Sequence, residues 1–158
     1  RPKLSQRKEV KIMSKYFTLD ELTRSQTAVR LGKDNTPNAT QKRDLLRLMD
    51  YLDGIREEFG EPIKVTSGFR GWKVNEAVGG VKNSQHLAGQ AADIVPAKSP
   101  ERLRELFDII RRRGGFQQVI YERKGQSVWV HVAIPPLGEM PRQEAMTTND
   151  GKNFVRLK

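Results

Sequence analysis

The chain has 158 residues and a mass of 18.0 kDa, enough for one compact domain with some length to spare. Its 36% hydrophobic and 30% charged residues describe an ordinary soluble protein, and no run approaches the roughly 18 consecutive apolar residues of a membrane span. A net charge of +10 suits a polyanionic partner (nucleic acid, an anionic cell wall or a phospholipid surface), while the lack of cysteine excludes disulfides and thiolate metal sites, leaving histidine and carboxylate as donors.

In chain order, the first fifteen residues carry six basic residues and one acidic one, half of the net charge. Short like-charged blocks stay solvated, so residues 1–15 read as a basic N-terminal tail rather than a dedicated binding arm. No apolar stretch follows these charges, and no secretory signal is read there. Thr18 and Glu21 have capping-box spacing, with Phe17 and Leu22 placed as a hydrophobic staple, which predicts a short helix over residues 19–25. Asn38 and Gln41 open a second helix. Its apolar residues Leu45, Leu48, Met49, Leu52, Ile55 and Phe59 recur at three and four, and Gly60 followed by Glu61-Pro62 ends it. Short strands are expected over residues 63–66 and 91–95. Ser99 is placed to cap a third helix with Pro100 in its first turn; Leu103, Leu106, Phe107 and Ile110 form its inner stripe, and Gly114-Gly115 closes it. Residues 118–122 and 127–134 flank a turn and read as a hairpin. The order of these elements does not repeat a βαβ unit, which favours an α+β fold with a small, mainly antiparallel sheet flanked by helices. The segment 135–158 is polar and reads as a C-terminal extension, irregular apart from a last short strand near residues 153–157.

The chemistry turns on two histidines, the whole complement of the chain. His131 interrupts a β-branched strand in which Val128, Val130 and Val132 point one way, so it faces the opposite side of the sheet. Asp93 falls inside the apolar stretch Ala91-Ala92-Asp93-Ile94-Val95, where an unpaired carboxylate would be costly to bury. His86 precedes it in Ser84-Gln85-His86-Leu87-Ala88-Gly89-Gln90. Two imidazoles and a carboxylate make a three-ligand set suited to Zn2+ with a fourth position left for water. Spacing alone is suggestive, since a lone histidine is more often a surface or core residue.

The segment Ser84–Asp93, SQHLAGQAAD, resembles the S-x-H-x-x-G-x-A-x-D signature of the M15 family of zinc D,D-peptidases at every fixed position. Trp129-Val130-His131-Val132 is similar to that family's second metal motif, and Ser67-Gly68-Phe69-Arg70 to its S-G-[FY]-R segment. The resemblance runs from about residue 16 to residue 134, the extent expected of a zinc peptidase domain. It implies a fold shared with the signalling domain of hedgehog proteins, a Zn2+ cofactor held by His86, Asp93 and His131, and hydrolysis of peptide bonds in peptidoglycan. The relatives include carboxypeptidases, dipeptidases and phage endolysins. Arg70 would then pair with a substrate carboxylate or a developing oxyanion, or else pin its loop through a salt bridge. Ser84 would contact substrate or serve as a turn-forming hydroxyl.

Many family members carry an acidic residue or a second histidine just before the last ligand, where this chain has Val128 and Trp129. Glu122 is therefore the candidate general base. Pairing through a four-residue turn, 123–126, sets it opposite Ser127, close to the hairpin tip, unless a bulge or longer loop shifts it. Trp129 lines the cleft or packs beside it. Gly79 and Gly80 form a flexible loop or a helix stop, and Gln117 and Gln118 could reach substrate. The expected activity is that of a D,D-carboxypeptidase or endopeptidase on stem peptides, possible in a phage lysis enzyme, by a monomer made in the cytoplasm and acting at the cell wall. The alternative is an inactive zinc-binding cell-wall or phage-structural module. Binding of nucleic acid is not expected, because aromatic and basic residues are not interleaved.

Overall fold

The computed structural model describes residues 14–158. Of the basic tail expected over residues 1–15, residues 1–13 lie outside the described residues. Ser14 and Lys15 are already anchored: Ser14 Oγ and the Lys15 amide donate to Asp53, and Lys15 Nζ pairs with Glu57 at 2.6 Å.

Helix α1 (Leu19–Thr23) is short and is fixed at its start by the expected capping box between Thr18 and Glu21. Phe17 and Leu22 are both buried in the core, as a staple requires. Helix α2 (Gln26–Leu31), which sequence periodicity did not reveal, starts at a Ser25 cap. Helix α3 (Ala39–Phe59) has the Asn38–Gln41 capping box, and its Leu45, Leu48, Leu52 and Ile55 are fully buried. Strand β1 (Ile63–Ser67) is followed by α4 (Trp72–Ala77), a second helix not foreseen, then by β2 (Ala91–Pro96). A 3-10 turn (Pro100–Arg102) leads into α5 (Leu103–Arg113). Ser99 precedes that turn but makes no side-chain capping bond. Strands β3 (Gln118–Lys124) and β4 (Ser127–Ala133) form the expected hairpin, and β5 (Glu144–Thr148) and β6 (Phe154–Arg156) complete the chain.

The six strands form one sheet in the order β1-β2-β4-β3-β5-β6. Every neighbouring pair is antiparallel except β3 and β5, which run parallel. The fold is α+β, but the sheet is mixed and larger than the small, mainly antiparallel one expected. The cause is local. Strand β4 ends beside the start of β3, since Ala133 pairs with Gln118, and β5 begins at that same end with Glu144 beside Gln118. The connection 134–143 needs only to pass the start of β3 to reach its free edge, so no crossover helix is required. The polar C-terminal stretch thus contributes two strands where one had been expected.

One face of the sheet is apolar. Ile94, Val130, Val132 and Val119 are fully buried against α3 and α5, alongside Leu106, Phe107 and Ile110. Side chains alternate along each strand, so Asp93, His131, Trp129 and Glu122 lie on the other face. Any one-residue slip of β2 or β4 would drive these polar groups into the core and the valines out of it. Burial of the valine face therefore sets the register that assembles the polar one.

Candidate metal centre

Asp93 sits in β2 between two partners: it pairs with Ser67 of β1 on one side and with His131 of β4 on the other. Residues directly opposite in antiparallel strands have Cβ atoms about 4.5–5.5 Å apart, so register alone brings the carboxylate and the imidazole together. His131 Nδ1 lies 3.1 Å from Asp93 Oδ1. His86 arrives from the loop before β2. Its Nδ1 is 2.7 Å from the Gly68 carbonyl, and its own carbonyl accepts from the Arg70 amide at 3.1 Å. The ring centroids of His86 and His131 are 5.1 Å apart. One ligand atom from each of His86, Asp93 and His131 lies within 4.8 Å of the others.

The hydrogen bond to Gly68 decides how His86 can act. A carbonyl only accepts, so Nδ1 carries a proton, and in the neutral ring this leaves the lone pair on Nε2. That Nε2 faces Asp93 Oδ1 at 3.4 Å, a meeting of two electron-rich atoms that a proton or a metal cation between them would satisfy. The donor set, two nitrogens and one oxygen with no sulfur, suits a zinc ion with one position open, and the Gly68 carbonyl supplies the outer contact that orients a ligating histidine. The His86 side chain is 2% exposed, whereas those of His131 and Asp93 are 12% and 17% exposed, so the centre is open to solvent from the Asp93–His131 side. Burial opposes ionisation of Asp93, but positive charge on the adjoining His86 imidazole, with the hydrogen bonds from His131 and His86, outweighs it and holds the carboxyl far below the usual carboxylate range. The carboxylate is thus charged and ready to ligate.

Two glycines of the motifs have structural causes. A Cβ on Gly68 would lie 2.3 Å from the Leu22 carbonyl oxygen, the oxygen that accepts from the Phe69 amide. Gly89 has φ +75, and a Cβ there would lie 2.6 Å from the Gln41 carbonyl of α3. Gly68 lets the segment whose carbonyl meets His86 press against α1, and Gly89 lets the His86 loop press against α3.

Behind the His86 loop lies a polar network that sequence reasoning missed. Asp44 of α3, 2% exposed, accepts from Arg43, Arg47 at 2.9 Å and Gln90 Nε2 at 3.1 Å. Gln85 donates to Gln90 and to the Ile134 carbonyl, the Ile134 amide donates to the Gln90 carbonyl, and Arg47 donates to the Pro135 carbonyl. Gln41 holds the Leu87 carbonyl. These bonds tie the loop of His86 and the exit of the His131 strand to one helix. The signal was available: Asp44 and Gln41 occupy stripe positions four residues before Leu48 and Leu45, where an apolar residue belongs.

The remaining candidates are distributed as follows. Glu122 pairs with Trp129, not with Ser127, because the hairpin turn is the two-residue Gly125-Gln126. That moves it away from the tip and onto the face of His131, diagonal to it by about 7–8 Å between backbones, within reach of a long side chain. Burial pushes its carboxyl up, and His131, Asp93 and Arg70 are near enough to act on its charge. The Trp129 indole Nε1 is buried without a hydrogen bond of normal geometry, yet lies close enough to Glu122 to favour its ionised form. Arg70 is half-buried with Nε unpartnered, and makes no salt bridge among the described residues. Burial lowers its pKa while Asp93 and Glu122 act to raise it, so its guanidinium faces the carboxylates of the site. Ser84 Oγ accepts from the His86 amide at 3.2 Å, a turn-forming bond. Helix α4 stops before Gly79 and Gly80, and Gln117 and Gln118 are engaged with the Arg142 amide and Glu144 at the β5 side of the sheet.

Beside the centre runs a cleft of about 830 Å³, bounded by β1, by the α1–α2 segment and by Arg70 and Asp93. No helix among the described residues is long and apolar enough to cross a membrane.

Comparison with known proteins bears on this arrangement. The zinc D-Ala-D-Ala carboxypeptidase of Streptomyces albus G is 39% identical to this chain over 79 residues, which is 49% of this chain and 30% of that protein. The chain thus spans under a third of the relative it matches. The sequence pattern of the family described as peptidase M15 matches residues 15–133, covering His86, Asp93, His131, Arg70 and Glu122 alike. On that match the chain belongs to the peptidase M15 family.

Proposed function

We propose that this protein is a zinc-dependent peptidase that hydrolyses peptide bonds in the stem peptides or cross-links of peptidoglycan, as a D,D-carboxypeptidase or endopeptidase. The observation that carries the reading is the convergence of His86, Asp93 and His131 on a point beside a cleft, with Glu122 and Arg70 on the same side. Family membership and the printed activity of the Streptomyces relative support the chemistry. Residues 16–134 would carry the peptidase, with the fold of the hedgehog and D,D-peptidase group, and 135–158 would extend its sheet.

The chemistry that a zinc ion supplies in such a site is Lewis-acid polarisation of the scissile carbonyl and acidification of water. Glu122 takes the proton from the attacking water and returns it to the leaving amine; burial, which raises its pKa, suits a group that must both accept and release a proton. Arg70, with no salt bridge among the described residues and lining the cleft, stabilises negative charge, whether on the carbonyl oxygen as it becomes tetrahedral or on a terminal carboxylate. Trp129 closes one wall and excludes water beside Glu122. Ser84 supports the His86 loop and can offer its hydroxyl to substrate. Peptidoglycan peptides are the partner, and the chain acts as a monomer at the bacterial cell wall, in phage release or in the periplasm.

The test is mass spectrometry of peptidoglycan digested with the zinc-loaded protein. New peptide termini that vanish with a chelator and return with zinc support the reading and identify the bond. An intact wall under zinc-loaded protein refutes it and favours an inactive zinc-binding module.

A further inference from the structure

Strand β1 is an edge of the sheet, and its outer side is open to the cleft. The Ala97 amide donates to the Pro62 carbonyl at 2.9 Å, which makes Pro62 and Ala97 a hydrogen-bonded pair. Bonded pairs alternate along an antiparallel ladder, so Lys64 and Val95 form the next one. Ile63 and Val65 flank Lys64 at the alternate positions, and their N–H and C=O groups point away from β2. Among the described residues, neither makes a backbone hydrogen bond outside the ladder. At Thr66 the register shifts, and Ser67 comes to pair with Asp93, so the strand's C-terminal end abuts the metal centre. From Ile63 to Ser67 the strand spans about 14 Å, room for roughly four residues of extended peptide.

The side chains add a charge. Lys64 and Thr66 are exposed on β1 and line the cleft, and Lys64 makes no ion pair among the described residues. The other acid and base on the opposite wall are occupied: Glu21 closes the α1 capping box and Arg24 pairs with Asp20. Asp93 belongs to the metal centre and faces Arg70, so Lys64 is the charge left over along the edge, in keeping with a peptide that carries a carboxylate.

We propose that the peptide substrate lies extended along the open edge of β1, pairing with the backbone of Ile63 and Val65 and setting a carboxylate against Lys64. This rests on the peptidase reading above and adds to it the subsites that lead away from the cleaved bond. Main-chain pairing to a sheet edge gives affinity without demanding particular side chains, and alternate side chains of the peptide enter the cleft. A lysine on an edge strand also guards against unwanted pairing between copies, a role that predicts no response to peptide.

The test is amide hydrogen exchange on the full-length, zinc-loaded protein with a stem pentapeptide whose scissile amide is replaced by a methylene-amine isostere. The proposal expects exchange at Ile63 and Val65 to slow on binding while Lys64, already paired with β2, is unchanged. Lys64→Gln should weaken binding of the peptide by about two- to fivefold, as fits an exposed ion pair, and should leave binding of its fully amidated form unaltered. Binding seen at Trp129 with no slowing at Ile63 and Val65 overturns the proposal, as does a peptide that fails to bind. Slowing at both amides in a protein that leaves peptidoglycan intact would uphold the docking mode and remove the hydrolase reading instead.

Discussion

Replacing Asp44 with alanine removes the acceptor that three donors share beneath the metal centre. The cost can be worked from the surroundings of each donor. Arg43 is 49% exposed at its side chain and can turn to water, so its loss is small. Arg47, 28% exposed, keeps its bond to the Pro135 carbonyl and loses a charge-assisted one worth about 1 kcal/mol after solvent screening. Gln90 is 8% exposed, and its amide would be left buried without a partner at a cost of about 1–3 kcal/mol. The sum is about 2–4 kcal/mol, which for a urea slope of about 2 kcal/mol/M lowers the midpoint by about 1–2 M. Urea unfolding of the metal-free protein followed by circular dichroism measures it. Because the same bonds hold the loop of His86, zinc affinity should also fall, by about tenfold if the loop behaves as other outer contacts of metal ligands do. A stability change under about 0.5 kcal/mol, ordinary for a surface substitution, would refute the reasoning.

Other outcomes follow from the same geometry. Glu122→Gln keeps the size of the side chain but cannot take a proton, so kcat should fall by about 10²–10⁴-fold while zinc content is unchanged; activity within a few-fold of wild type would assign the base elsewhere. Acid should weaken the fold through Asp44. Burial opposes its ionisation, but bonds from Gln90, Arg47 and Arg43 prevail and hold the folded value below the usual 3.8. The stabilisation is therefore complete above the unfolded value and is lost as pH falls below it towards the folded one. Unfolding midpoints of wild type and Asp44→Asn should converge as pH drops below about 4; a constant gap from pH 6 to pH 2 would contradict this.

Much of the arrangement could be read from the sequence because local chemistry and fold agree there. The Asn38–Gln41 box and the leucine stripe specify α3, and alternation in residues 127–133 places His131 opposite the valines. What alternation cannot give is the partner across the strands. That Asp93 stands opposite His131 depends on register, which the buried face sets through contacts distant in sequence. Glu122 shows the same limit: taking the turn as four residues places it at the tip, whereas a two-residue turn extends β3 to Lys124 and brings Glu122 opposite Trp129. Helices α2 and α4, six residues each, are too short to show a period. Strand β5, Glu144-Ala145-Met146-Thr147-Thr148, is largely polar and forms because β3 offers it an open edge. For the Asp44 network the stripe marks only Asp44 and Gln41; their partners could not be read, since the members are spread from residue 41 to residue 135.

The central claim is that His86, Asp93 and His131 together hold one divalent ion. Zinc titration by calorimetry of the wild-type protein and of His86→Ala, Asp93→Ala and His131→Ala measures it most directly. One site per wild-type chain, with affinity lost or reduced by orders of magnitude in each variant, is the expected result. Zinc bound equally well by all three variants, or not bound by the folded wild type, would contradict the account.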